Sequence, residues 1–266
     1  MNRIETSFDT LKKKREKALV GFVSAGDPSY DISLKLIRKM IEGGLDILEL
    51  GVPFSDPTAD GPVIQRSSAR ALKKGITLGR VMEMTVEIRK FSEIPVILFS
   101  YYNPVLSFGV EAFYETAVKS GADGVLIVDL PPEESEEMTG MWPGKELSLI
   151  RLIAPTTPPA RMKTIAESAS GFLYMVSKTG VTGSDGLDTS SISTHVKRLR
   201  SVTPLPICVG FGISTPEDVR RISEAADGVV IGSAFERLIE SRLTDPALPE
   251  QMGEQTRLFK NATRPE

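Results

Sequence analysis

The stretch LDILELGVPFSDPTADGPVIQ, residues 45–65, begins as an apolar strand and ends as a polar loop. A carboxylate, Glu49, interrupts the apolar run, and two more, Asp56 and Asp60, follow among Pro, Gly, Ser and Thr. Burying an ionised carboxylate is costly unless something compensates it. The place of Glu49 in a fold therefore decides what the stretch is for.

The run is one of eight. Short apolar, β-branched segments recur at 18–26, 45–52, 94–101, 124–130, 147–153, 171–177, 205–212 and 227–234. Near-continuous apolar runs of this length suit parallel strands covered on both faces. Helical patterns lie between them. In SYDISLKLIRKMIEGG, Ile32, Leu34, Leu36, Ile37, Met40 and Ile41 fall at roughly helical spacing, and Gly43-Gly44 makes a C-cap. In STPEDVRRISEAAD, Ser214 or Thr215 can cap a helix with Pro216 in its first turn. Eight β units alternating with helices predict a (β/α)8 TIM barrel, with an open doubly wound sheet as the competitor. Residues 2–16 predict an extra N-terminal helix, and LTDPALPEQ a break before a last helix. No linker divides the chain, so residues 1–266 are expected to form a single barrel domain. No repeat beyond βα itself is evident.

Strand parity gives Glu49 a position. Alternate residues face opposite sides, so Leu45, Ile47 and Glu49 share a face, and Asp46 and Leu48 share the other. If Leu45 and Ile47 fill the barrel core, Glu49 stands near the C-terminal mouth, where barrel enzymes keep their catalytic groups. Asp46 then points to the helix layer as a structural residue. The same rule puts Val125, Ile127 and Asp129 on one face, with Asp129 at the mouth. Parity leaves two readings of Glu49 open, a paired structural carboxylate and a proton-transfer group whose pKa burial raises. Asp56 and Asp60 read as turn formers or as functional acids.

Glycine-rich loops follow the last three strands: SKTGVTGSDG, GFGIS and IGSAFERLIE. Glycines let backbone N–H groups approach an anion, and a helix N-terminus adds free donors and a favourable dipole. A phosphate site after strands seven and eight is a recurring barrel device. Gly183, Gly212, Gly232 and Ser233 are the expected phosphate ligands, with SKTGVTGSDG as a lid.

Other residues carry less. His195, the single histidine, lies on a helix and can build neither a triad nor a multi-histidine metal site. Cys208 falls within a strand and reads as core. No metal-ligand cluster and no Schiff-base lysine at a strand end is evident. Arg151 reads as a mouth or core ion-pair residue, and Tyr174 either lines the site or packs. The chain has 266 residues, 41% hydrophobic and 25% charged, with a formal net charge of −3. That balance gives no general attraction for nucleic acid or an anionic membrane. One cysteine excludes an internal disulfide, and the first residues lack a signal-type apolar core. No apolar run approaches the roughly 20 residues that span a bilayer. A cytoplasmic protein is expected.

LELGVPFSDPTADGPVIQ resembles the signature of the tryptophan synthase alpha subunit family. The resemblance extends along most of the chain through GFVSAGDPS, YYNPVLSFG, VDLPPEES, YMVSKTGVTG, GFGIS and IGSAF, in that order. It implies a (β/α)8 barrel that cleaves indole-3-glycerol phosphate to indole and glyceraldehyde 3-phosphate in tryptophan biosynthesis. It also implies a pyridoxal-phosphate-dependent beta subunit that receives the indole in an alpha2-beta2 heterotetramer. No cofactor or metal is implied in this chain. Carried over by motif, Glu49 and Asp60 are the catalytic carboxylates. Phe22 lines the indole pocket, Tyr174 is a site tyrosine, and Thr182 is the lid threonine. Gly183, Gly212, Gly232 and Ser233 match the phosphate loops. Asp56 and the YYNP loop, with Tyr102, Asn103 and Pro104, match places near the beta interface.

The retro-aldol reaction that this implies needs proton transfer to the indole C3 and from the side-chain hydroxyl, assigned to Glu49. It also needs a hydrogen bond to the indole N–H, assigned to Asp60 on an adjacent loop that can move. Two departures stand out. MTGMWPGKELSLIRLIAPTTPP looks shorter than the family's usual helix-four region, and Lys178 stands where some members carry a lid arginine. The rival readings are another phosphate-binding barrel isomerase or decarboxylase, a free-standing indole-glycerol-phosphate lyase, and a non-catalytic allosteric partner of a beta chain.

Overall fold

In the computed structural model, which describes residues 2–142, 144–177, 189–210 and 212–265, a closed barrel of eight parallel strands runs in chain order. An opening helix α1 (Arg3–Lys14) precedes β1 (Ala18–Ser24). Then come α2 (Tyr30–Glu42), β2 (Ile47–Gly51), α3 (Pro62–Lys73), α4 (Leu78–Arg89) and β3 (Val96–Ser100). The middle of the chain gives α5 (Tyr102–Phe108), α6 (Val110–Ser120), β4 (Gly124–Ile127), the short α7 (Ser135–Thr139), β5 (Ser148–Ile153) and α8 (Pro159–Glu167). β6 (Leu173–Val176), α9 (Thr189–Arg200), β7 (Ile207–Gly210), α10 (Pro216–Ser223), β8 (Gly228–Ile231), α11 (Ser233–Ser241) and α12 (Leu248–Ala262) complete it. β8 pairs with β1, which closes the ring and excludes the open sheet. Each of the eight predicted runs contains one strand.

Helix boundaries follow local chemistry. Asn2 caps α1 in a capping box with Glu5, and Thr215 does the same for α10 with Asp218. Of the two cap candidates before Pro216, the threonine is used.

The strands divide two apolar layers. Inside the barrel lie Val20, Ile47, Ile97, Leu126, Ile150, Phe172, Cys208 and Val230. The α1 residues Ile4 and Leu11 join them, and the Phe8 ring packs on Phe172 at 5.9 Å. The extra N-terminal helix therefore packs on the barrel interior. The larger cluster lies between strands and helices and holds Leu48, Leu50, Leu98, Val125, Ile127 and Leu173.

This layering corrects two parity readings. Leu45 belongs to the helix layer, not the barrel core. β2 begins only at Ile47, and the chain enters it through Gly44 at φ +99°, so period-two alternation does not extend back to Leu45. Ile47 and Glu49 keep the inward face as expected. In β4 the inward residue is Leu126, so Val125 and Ile127 face the helices and Asp129 is not an interior group. Asp129 is exposed and accepts the N–H of Tyr102 at 2.7 Å, at the start of α5.

A second period, absent from the sequence reading, governs the N-terminal end of the strands. Asp46 accepts the N–H of Leu19 at 2.7 Å, Asp123 that of Val96 at 2.8 Å, and Asp227 that of Ile207 at 3.0 Å. The Ser170 hydroxyl accepts the N–H of Leu149 at 2.8 Å. In each case a residue just before an even-numbered strand receives a donor from the start of the preceding odd strand. The four contacts clip the strands in pairs. Each aspartate also holds a cation from another element: Lys260 at 2.9 Å on Asp46, Arg89 at 2.6 Å on Asp123, and Arg200 at 2.8 Å on Asp227. Asp46 is thus structural, as its parity predicts.

The clips should differ in weight. Asp123 is buried and accepts from Val96, Arg89 and Arg3. Removing one partner of a buried ion pair strands the other, so Asp123→Ala should lower stability by about 3 kcal/mol. Ser170→Ala removes one neutral hydrogen bond and should cost about 1 kcal/mol. Urea denaturation of both variants checks the order; equal losses would show that the charges add nothing to the clip.

Candidate active site

The C-terminal mouth holds a cavity of about 320 Å³. Its lining draws on β1 (Phe22), β2 (Glu49), β3 (Phe99), β6 (Tyr174) and β8 (Val230). The loop and first turn after β2 add residues 58–64, and the far rim is Gly212, Ile213, Gly232, Ser233 and Arg237. A mostly apolar chamber with a few convergent polar groups is the usual form of a small-molecule site.

Glu49 sits beside Phe22 in the β1–β2 register and is fully buried. Neither of its carboxylate oxygens has a hydrogen-bond partner among the described residues. Burial alone, with no cation to oppose it, pushes its pKa up to about 8. The free site therefore holds Glu49 as a neutral acid at pH 7, aimed into the cavity.

Asp60 lies across the chamber in a different setting. It is half-buried, and its pKa rises to about 6, from burial first and against a hydrogen bond from the Tyr101 hydroxyl. Hydrogen bonds and ring packing hold that loop against α3 and the end of β3. The Tyr101 hydroxyl accepts the Ala59 N–H at 2.9 Å, and the Ser68 hydroxyl both accepts from Phe54 N–H and donates to Phe54 O, at 2.9 and 3.0 Å. Phe54 also packs on the Tyr101 ring at 5.1 Å. Pro62 at the first position of α3 ends the loop.

The aromatic walls need room at strand ends. A Cβ on Gly51 would stand 2.6 Å from the Phe22 ring, and one on Gly210 would stand 2.7 Å from the Tyr174 ring. Phe22 meets Phe99 edge-to-face at 5.1 Å. Burial raises the Tyr174 pKa well above its ordinary value, and charge on Glu49 would raise it further.

The structure brings together Glu49, Asp60, Phe22, Tyr174, Gly212, Gly232 and Ser233 around one cavity. Gly212 has φ +76° with open space where a Cβ would be, and Gly232 leads directly into α11. Thr182, Gly183 and Lys178, with the lid, lie outside the described residues. Asp56 is exposed and takes the Ser55 hydroxyl at 2.5 Å. Tyr102, Asn103 and Pro104 form the first turn of α5, outside the cavity; Leu106 and Phe108 of the same helix expose apolar surface. Arg151 faces the helix layer. Its Nη1 donates to Leu130 O at 2.8 Å, and burial lowers its pKa to about 10. It is neither a mouth residue nor an ion-pair partner among the described residues. His195 lies on α9, away from the cavity lining, and Cys208 is buried inside the barrel. Among the described residues no group of three or more His, Cys, Asp or Glu could hold a metal ion. Sequence reasoning missed Tyr101, Ile64, Ile213 and Arg237; the aromatic pair at 101–102 was the signal available for the first.

The model of tryptophan synthase alpha chains matches residues 8–264. The chain belongs to the tryptophan synthase alpha chain family. It is 58% identical to the alpha chain of Desulfatibacillum aliphaticivorans over 99% of this chain and 100% of the relative. Identity to the alpha chain of Desulfosudis oleivorans is 60%, again over 99% and 100%. Among solved structures, the alpha subunit of Legionella pneumophila superposes with a TM-score of 0.90 at 38% identity, covering 99% of this chain and 98% of that one. A tryptophan synthase chain from M. tuberculosis, in an aminoacrylate-bound form, gives 0.88 at 28%, covering 99% and 100%. A tryptophan synthase alpha chain thus explains both the barrel and the chamber at its mouth.

The raised pKa of Glu49 has a stability consequence. Folded Glu49 keeps its proton to about pH 8, while the unfolded side chain releases it near 4.5. Between those values the folded state carries the extra proton, so this contribution is full below about pH 4.5 and is lost as pH rises through 8. Glu49→Gln removes the dependence. The stability of Glu49→Gln relative to wild type should climb by roughly 3 kcal/mol between pH 5 and pH 8. Buried Glu236, also raised to about 8, is present in both proteins and cancels. Urea titrations at three pH values measure the trend; a flat difference would mean Glu49 is charged in the folded chain.

Proposed function

We propose that Glu49 and Asp60 carry the lyase reaction of this family, the cleavage of indole-3-glycerol phosphate to indole and glyceraldehyde 3-phosphate. The observation that carries the assignment is the separation of two carboxylates by environment, one neutral and one anionic at pH 7. Neutral Glu49 gives its proton to the indole C3, forming an indolenine. The resulting carboxylate takes the proton of the side-chain hydroxyl. The bond between C3 and the carbinol carbon then breaks, its electron pair returns to the ring, and the carbinol becomes the aldehyde. Glu49 ends protonated as it began. Asp60, ionised, accepts the indole N–H and offsets the positive charge that develops on the ring.

Phe22 and Tyr174 flank the indole. Gly212, Gly232, Ser233 and, by family resemblance, Gly183 bind the phosphate, with Thr182 in the lid. Fixing both ends of the substrate holds C3 against Glu49. The reading needs no metal or cofactor in this chain; pyridoxal phosphate belongs to the beta chain. A beta subunit is the expected partner. We place its docking surface at Asp56, Tyr102, Asn103 and Pro104, in an alpha2-beta2 assembly that passes indole onward in the cytoplasm.

The free enzyme should show a bell-shaped pH dependence of kcat/KM, with limbs near 6 and 8 from Asp60 and Glu49. Asp60→Asn should lose rate and the acidic limb together. Glu49→Gln should lower kcat about 100- to 10,000-fold while substrate still binds. Near-normal turnover in either variant removes that residue from the mechanism. Indole release by the chain alone, then with a beta subunit, separates the remaining readings. Weak activity that rises with the partner fits a synthase subunit, and strong activity alone fits a free-standing lyase.

A further inference from the structure

α11 begins at the proposed phosphate rim with Ser233 and carries three charged side chains in its body: Glu236, Arg237 and Glu240. The two acids are engaged elsewhere. Buried Glu236 accepts the Ser24 N–H at 2.6 Å, and Glu240 takes Arg66 at 2.6 Å and Arg70 at 3.1 Å. Arg237 is exposed and has no ion-pair or hydrogen-bond partner among the described residues. It nonetheless lines the cavity, and it is the only cation among the described lining residues.

Its position is directional. Residues four apart on a helix share a face, one turn above the other, so Arg237 stands over Ser233. Long helical side chains lean toward the N-terminus, which carries the guanidinium toward Ser233 and Gly232. The rest of the described rim, Gly212, Gly232 and Ser233, offers only neutral donors to a dianion.

We infer that Arg237 is a substrate-binding residue that supplies the positive charge for the phosphate of indole-3-glycerol phosphate, from the second turn of α11. The inference rests on the phosphate reading of the Gly212–Gly232–Ser233 rim. A guanidinium is always charged and offers five donors in a planar fork suited to phosphate oxygens. From the second turn of α11, it adds long-range attraction to the short-range backbone donors at the helix N-terminus. It takes no part in bond cleavage, so its removal should affect binding and capture more than chemistry.

The test uses the full chain with three variants and two probes. Arg237→Gln should raise KM for indole-3-glycerol phosphate about tenfold with kcat within about twofold, and Arg237→Lys should recover most of the loss. Binding of glycerol 3-phosphate should weaken in step, while binding of indole, which lacks a phosphate, should not change. The fall of kcat/KM with ionic strength should be shallower in Arg237→Gln. Gly232→Asp is the control for the rim itself, because its Cβ has ordinary room beside Phe22 and its carboxylate would repel an anion. If Gly232→Asp loses glycerol 3-phosphate and Arg237→Gln does not, the rim stands and Arg237 is only a solvated side chain. If Gly232→Asp binds it normally, the phosphate reading fails and the role of Arg237 falls with it.

Discussion

A carboxyl group with no hydrogen-bond partner, in the inner wall of a barrel, sets the terms for the whole mouth. Glu49 is sealed between Phe22 and Ile97 on neighbouring strands. An ionised carboxylate there would cost several kcal/mol, so the group stays protonated until something else arrives to accept or share the proton. A cation beside it would return its pKa to the ordinary range and remove the acid. Among the described residues no cation is paired with Glu49. Arg70 and Arg66 are held outside by Asp27 and Glu240, and Arg151 is turned into the helix layer.

The same barrel treats its two ends differently. At the N-terminal ends of the strands, carboxylates are paired with cations and backbone N–H groups, and their work is mechanical. Asp46, Asp123 and Asp227 each join a strand pair and a cationic side chain. At the mouth, Glu49 has no hydrogen-bond partner among the described residues, and burial pushes its pKa up to about 8.

Much of this was legible in the sequence. Eight apolar runs predicted eight strands because parallel strands buried on both faces need continuous apolar character, and no other element here asks for that over so few residues. Glu49 was readable because it breaks such a run on the inward parity set by Ile47. The same rule failed for Asp129, since parity names two faces without saying which is inside; in β4 the inward residue is Leu126. It failed for Leu45 because the strand begins two residues later. Asp60 looked like a turn residue until the family motif was matched. Its local pattern is that of a turn, and its raised proton affinity comes from burial that no local pattern encodes. Tyr101 escaped because its role, a hydroxyl shared between Ala59 and Asp60, joins the end of β3 to the loop after β2.

The two ends of the substrate site are also joined through the helix layer. α3 follows Asp60, and α11 begins at Ser233. Between them Arg70 of α3 donates to both carboxylate oxygens of buried Asp27 and reaches Glu240 of α11. Ser67 of α3 shares a 2.6 Å hydrogen bond with Ser24, whose N–H donates to Glu236 of α11. One end of β1 thus carries polar contacts from the helix behind the carboxylate loop and from the helix behind the phosphate rim. The proposed reaction requires C3 to meet Glu49 while the phosphate and the indole nitrogen are both held, and errors of about 1 Å in such positioning are expensive. Loops alone would give that spacing poorly. A buried polar network is costly to leave half-satisfied, and for that reason it admits few alternative arrangements. Its place between α3 and α11 ties the loop that carries Asp60 to the rim at Ser233.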